Sequence, residues 1–189
     1  MQFLSPMDNI KKDLLYLTGF MGSGKSSIAP ILANTLGYDS VDVDVEVEKI
    51  TGKKVSEIFF ELGEDYFRSV ERTLLEELSK RHGCVISLGG GTIASASNLS
   101  IIKSTGVLVY LKLDAEHIFR RLKSKKNRPL LFTKEGAPIP DEELRAKITA
   151  LLTDREPFYK QADVTIIADD LRIGLTVDEI VRHTRRLIS

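Results

Sequence analysis

Five short, almost unbroken aliphatic runs constrain this chain more than any other feature. They are "LLYLT" (Leu14 to Thr18), "SVDVD" (Ser40 to Asp44), "CVISL" (Cys84 to Leu88), "GVLVYLKL" (Gly106 to Leu113) and "DVTIIA" (Asp163 to Ala168). Strands buried on both faces read as such runs, and the helical patterns between them imply right-handed crossovers. The chain is therefore expected to be an α/β protein on a parallel sheet. The stretch "GEDYFRSVERTLLEELSKRHG" repeats Phe67, Val70, Leu74 and Leu78 at three- and four-residue steps, one apolar helix face, and His82-Gly83 ends it. "TVDE", Thr176 to Glu179, has the form of a capping box and is read as the opening of a terminal helix. A length of 189 residues suits one domain spanning 1–189.

Charge and composition remove several classes of function. Lys+Arg and Asp+Glu stand at 27 each, so no net field favours nucleic acid or an anionic membrane. The basic run Arg120, Arg121, Lys123, Lys125, Lys126 and Arg128 has no aromatic residues interleaved for stacking, which also speaks against nucleic acid. The single cysteine, Cys84, cannot form an internal disulfide and lies in an apolar run, so a buried thiol is expected. His82, His117 and His183 show no metal-ligand spacing. No run approaches the roughly 20 apolar residues of a membrane span. The opening "MQFLSPMDNIKK" lacks a signal core, so a cytoplasmic protein is expected.

Directly after the first run, "GFMGSGKSS" fits G-x-x-x-x-G-K-[ST] without a mismatch. Such a loop wraps backbone N–H groups, here those of Gly22, Ser23, Gly24, Lys25, Ser26 and Ser27, around a phosphate chain. A helix beginning near Lys25 points its positive end at the same anion. Lys25 would neutralise the outer phosphates of ATP and the Ser26 hydroxyl would bind Mg²⁺.

Four further clusters fall where an acceptor for the phosphoryl group is needed. Asp42 and Asp44, at the end of the second run, would project from one face of a strand toward the loop; the plainer alternative for this segment is a helix cap with a solvated acid. Arg68 and Glu71 are helix neighbours, readable as a surface ion pair or as a guanidinium fork steadied for a carboxylate. Gly89, Gly90 and Gly91 follow the third run and leave backbone N–H groups open to close ligand approach. The irregular segment from Ser124 to Pro140 contains Arg128, and Arg155 follows in "DREPFY"; a closing lid would bring Arg128 onto the transferring group.

Taken in order and spacing, "GFMGSGKSS", "DVDVEVEKITG", "IFFELGEDYFRSVE", "VISLGGGT", "NRPLL" and "DREPFY" resemble the blocks of the shikimate kinase family over roughly Leu14 to Ile167. The resemblance implies a P-loop fold of the nucleoside-monophosphate-kinase type. Its parallel sheet would have five strands in the order 2-3-1-4-5, with helices on both faces, a lid at about 124–140 and a substrate-binding region at about 42–71. It implies transfer of the ATP γ-phosphate to the 3-hydroxyl of shikimate, with Mg²⁺, in aromatic amino acid biosynthesis, by a monomer.

By matching position, Lys25, Asp44 and Arg128 would be catalytic, and Asp44 would also hold the acceptor's hydroxyls. Arg68 and Arg155 would grip the carboxylate, the turn around Gly90 (Gly89 to Gly91) would hydrogen-bond a ring hydroxyl, and Asp42 would serve Mg²⁺ through water, with Ser26. Arg121 would lie against adenine, with Arg172 near the nucleotide. Two departures stand out: "TKEGAPIP" lengthens the lid, and GKSS replaces the commoner GKST. Rival readings are a kinase for another small polyol such as gluconate, and a catalytically silent relative that only binds.

Overall fold

The computed structural model describes residues 12–123, 139–169 and 172–188. Five parallel strands form one sheet in the order β2-β3-β1-β4-β5: β1 (Leu14–Thr18), β2 (Asp39–Asp42), β3 (Cys84–Ser87), β4 (Gly106–Lys112) and β5 (Val164–Ile167). Central β1 is buried along its whole length, as its uninterrupted apolar run requires. Its side chains alternate between two cores. Leu14 and Tyr16 join Phe67, Leu75, Ile102 and Ile148 on one face of the sheet, while Leu15 and Leu17 join Ile28, Leu32, Val177 and Ile180 on the other.

The helices are α1 (Lys25–Leu36), α2 (Val43–Thr51), α3 (Val55–Glu61), α4 (Gly63–Leu78), α5 (Ala96–Thr105), α6 (Ala115–Lys123), α7 (Asp141–Tyr159) and α8 (Ile173–Thr184), with a 3-10 turn at Thr92–Ala94. Among the described residues no helix is long and apolar enough to cross a membrane. Cys84 is a free, buried thiol, as its surroundings in the sequence suggest.

Three local readings are corrected. The second strand stops at Asp42, and Asp44 lies in the first turn of α2. The alternation of Val and acid mimics a strand, but Val43 and Val47 are buried one helical turn apart, and the Asp42 carboxylate accepts from the N–H groups of Asp44 and Val45. Helix α8 starts at Ile173, so Thr176 caps nothing: its hydroxyl donates back to the Arg172 carbonyl. The buried face of α4 is Phe67, Glu71, Leu75 and Leu78, with Val70 and Leu74 only partly covered.

His117 also has company that spacing does not reveal. Its ring lies 2.9 Å from an Asp114 oxygen and 3.6 Å from one of Asp169, at the start of α6.

Candidate active site

All five strands run in parallel, so the β1–α1 loop, the start of α2, the glycine turn after β3 and the start of α6 meet along one edge of the sheet. The β1–α1 loop turns sharply through Gly19 at φ 145°, Gly22 at 84° and Gly24 at 99°. At Gly19 a Cβ would come within 2.6 Å of the Leu111 carbonyl oxygen, so only glycine lets the loop pass the end of β4. Lys25 opens α1 and is almost wholly buried; its ammonium donates to the carbonyls of Gly19 at 2.7 Å and Phe20 at 3.2 Å. That folds the charge back over the loop rather than outward.

The Ser23 N–H donates to the Phe20 carbonyl at 3.1 Å and the Ser27 N–H to the Gly24 carbonyl at 3.0 Å, so the turn into α1 is held by its own backbone. The hydroxyls of Thr18 and Ser23 are buried with no partner among the described residues. A buried loop of this polarity fits the triphosphate of ATP.

Beside it, three oxygens converge. The Ser26 hydroxyl donates to Asp42 Oδ2 at 2.7 Å, and the Ser87 hydroxyl donates to the same oxygen at 3.0 Å. Asp42 thus caps α2 with one oxygen and receives both serines on the other, so the cap and the site are the same residue. An all-oxygen set of this kind fits Mg²⁺.

Asp44 is mostly buried, and its carboxyl is pushed up to about 6, chiefly by burial and then by the Asp42 charge, with Lys25 pulling the other way. One cavity of about 110 Å³ is lined by Gly22, Gly24, Lys25, Ser26, Ser27, Asp42, Asp44, Ser87 and Gly90, together with Met21 and Leu88. The phosphate loop therefore shares one space with two of the candidate acceptor residues, Asp44 and Gly90, while Arg68, Gly89, Gly91 and Arg155 do not line it.

Arg68 is no surface ornament. Its guanidinium donates to Glu71 at 2.9 Å and to Glu64 at 3.0 Å, and Glu71 is completely buried, accepting a further hydrogen bond from the Thr92 hydroxyl at 2.6 Å. The reading of Arg68 and Glu71 as an exposed pair fails because Glu71 sits on the inward face of α4. The three glycines are explained by neighbouring side chains. A Cβ on Gly91 would lie 2.6 Å from an Arg68 nitrogen, one on Gly90 would lie 3.2 Å from an Arg155 nitrogen, and one on Gly89 would lie 3.0 Å from an Asp44 oxygen. The turn is bare so that two cations and a carboxylate can close on it.

The nucleotide-side arginines divide. Arg121 donates to the carbonyls of Ser23 at 3.4 Å, Ala168 at 3.0 Å and Asp169 at 3.4 Å, tying α6 to the loop and to the end of β5. Arg172 is exposed at the start of α8 and does not line the cavity. Arg128 and most of the expected lid lie outside the described residues. Ser87, Thr92 and Glu64 carry no role read from the sequence, although all three lie inside the blocks "VISLGGGT" and "IFFELGEDYFRSVE".

Comparison with known proteins agrees with this geometry. The family model for shikimate kinase matches residues 21–185. A shikimate kinase of Chlorobium phaeobacteroides is 46% identical over 175 residues, covering 93% of this chain and 92% of that protein. The crystal structure of shikimate kinase from Bacteroides thetaiotaomicron is 34% identical with a TM-score of 0.84, covering 91% of this chain and 98% of the other. Shikimate kinase from Acinetobacter baumannii in complex with shikimate is 33% identical with a TM-score of 0.83, covering 93% and 94%.

Proposed function

The chain belongs to the shikimate kinase family, and on that premise we propose how its residues divide the transfer of the ATP γ-phosphoryl group to the 3-hydroxyl of shikimate. The observation that carries the reading is the shared cavity: Lys25 and Ser26 line it together with Asp44 and Gly90. Phosphoryl transfer needs little covalent help from a protein, so positioning and charge do most of the work.

The loop N–H groups and Lys25 hold the phosphates and offset the charge that builds on them. Ser26 and Asp42 would hold Mg²⁺, the aspartate through water, and the ion would neutralise phosphate charge. Arg68 and Arg155, drawn to the same glycine turn, present cations to the shikimate carboxylate. This orients the ring so that its 3-hydroxyl meets Asp44, which accepts the hydroxyl's hydrogen bond. Arg121 borders the base, Arg172 approaches the nucleotide, and Arg128 closes from the lid segment 124–140. The whole chain acts as one catalytic domain. Family resemblance suits a cytoplasmic monomer, and the balance of 27 basic against 27 acidic residues gives no net field for a nucleic-acid partner.

The direct test is ADP release from Mg·ATP in the presence of shikimate, gluconate or AMP. Shikimate alone should give strong stimulation. Stimulation by gluconate instead would keep the fold and overturn the acceptor assignment, and silence with all three would favour a relative that only binds.

Arg68→Ala gives a sharper check on the carboxylate grip. Losing a charged fork should raise KM for shikimate by about 10²-fold while KM for ATP changes little. Unchanged shikimate turnover in steady-state assays would remove Arg68 from the acceptor site.

A further inference from the structure

We propose that Tyr159 is a positioning residue for the acceptor site: its hydroxyl links the Arg155 guanidinium to the Gly90 carbonyl and so fixes the arginine against the glycine turn. The inference rests on the acceptor role given to Arg155 above.

Tyr159 lies one helical turn after Arg155, at the last position of α7. In a helix a side chain leans back toward the residue four before it, which carries the phenol under the guanidinium. The ring is wholly buried, and its hydroxyl donates to the Gly90 carbonyl at 2.7 Å. A phenol has one proton to give. With that proton committed to Gly90, its oxygen is left to accept from Arg155. A Cβ built on Gly90 would sit 3.2 Å from an Arg155 nitrogen and 3.6 Å from the Tyr159 oxygen, so both side chains border the same point of the glycine turn. Burial raises the phenol's pKa and the neighbouring Arg155 charge only partly opposes it, so the hydroxyl keeps its proton at neutral pH.

The ring itself has little freedom. It stacks on Tyr110 of β4 at 4.8 Å between centroids and 22° between planes, and the Tyr110 hydroxyl donates to Glu156 at 2.8 Å. Strand β4, helix α7 and the glycine turn are thereby joined through one phenol. A purely packing tyrosine would need the stack but not a hydroxyl aimed at the turn that carries the substrate.

Tyr159→Phe keeps the ring and its stack and removes only the hydroxyl. Its KM for shikimate should rise about tenfold, the scale of one hydrogen bond to a charged group, while KM for ATP stays within about twofold. In an Arg155→Ala background the same change should add less than about twofold, because a residue acting through Arg155 has nothing left to position. Tyr110→Phe loses a half-buried hydrogen bond that does not touch Gly90, and should lower Tm without moving KM for shikimate.

Equal rises in both KM values would overturn the proposal, as would fully multiplicative effects with Arg155→Ala or a Tyr110→Phe change in KM matching that of Tyr159→Phe. If the unsubstituted enzyme failed to turn over shikimate, the acceptor reading itself would fall, and the inference with it. Normal turnover with an indifferent Tyr159→Phe would sink the inference alone.

Discussion

An enzyme carrying Lys25→Ala should lose about 10²-fold or more in kcat, the scale seen when one preorganised charge-stabilising donor is removed. The ammonium is almost completely buried at the start of α1, where water cannot replace it, and it faces the same cavity as Asp44. Its effect should therefore grow as charge shifts onto the phosphoryl oxygens, and appear in kcat more than in KM for shikimate. Two consequences can be separated. The carbonyls of Gly19 and Phe20 lose their donor, which loosens the loop, and the phosphates lose a cation.

Lys25→Met preserves most of the side-chain volume, so comparing it with Lys25→Ala isolates the charge. Both should bind shikimate in calorimetry as the unsubstituted enzyme does, because the carboxylate grip is assigned to Arg68 on α4 and Arg155 on α7. A kcat within about fivefold of the original for Lys25→Met would mean that the loop N–H groups carry the phosphates unaided, against the usual division of labour in such loops.

The sheet and the loop were legible because both are local. An unbroken apolar run such as "LLYLT" becomes β1 at the boundaries read from it, and the loop's glycines and lysine lie within a few residues of one another. What stayed hidden depends on distance along the chain. Ser87 meets Asp42 across 45 residues, Thr92 meets Glu71 across 21, and Tyr159 meets Gly90 across 69, so no short window of sequence contains any of these pairs.

Two misreadings had local causes as well. The alternating "VDVDVEVE" satisfies a strand period over its first residues, and tertiary context decides for a helix because Asp42 can cap it. Glu71 looked solvated because glutamates usually are, although its spacing from Phe67, Leu75 and Leu78 already put it on the buried stripe. The sheet order itself entered through family resemblance, since strand succession alone permits several orders.

Asp44→Asn should separate activity from stability in opposite directions. With its carboxyl pushed from an ordinary 3.8 up to about 6, mainly by burial, Asp44 is ionised at neutral pH at a cost to the folded state. The sign follows from the folded value lying above the unfolded one. The folded protein holds this proton more tightly, so the favourable contribution is complete below about 3.8 and lost as pH rises through about 6. At pH 7.5 the neutral asparagine should therefore be more stable by about 2 kcal/mol, since each tenfold change in proton affinity between the folded and unfolded chain is worth about 1.4 kcal/mol and relaxation of the site takes back part of it. That is on the order of 5 °C in Tm for a domain of this size. Near pH 4 the gain should shrink, because the original residue is then largely neutral too.

These measurements belong in Mg²⁺-free buffer, since a cation beside Asp42 would itself draw the Asp44 carboxyl down. Activity should move the other way. The ionised carboxylate is the stronger acceptor for the 3-hydroxyl proposed to meet it, so kcat/KM for shikimate should climb through about pH 6 in the unsubstituted enzyme, its midpoint lowered where Mg²⁺ is bound. Asp44→Asn should be slower by about 10²-fold or more, the lower end of what a positioned base contributes, with that inflection gone. A variant that lost stability and activity together would show that Asp44 holds the start of α2 in place, and the cost of its buried charge would have to be sought elsewhere. A more stable, nearly inactive protein would show strain kept in the fold for the sake of the reaction.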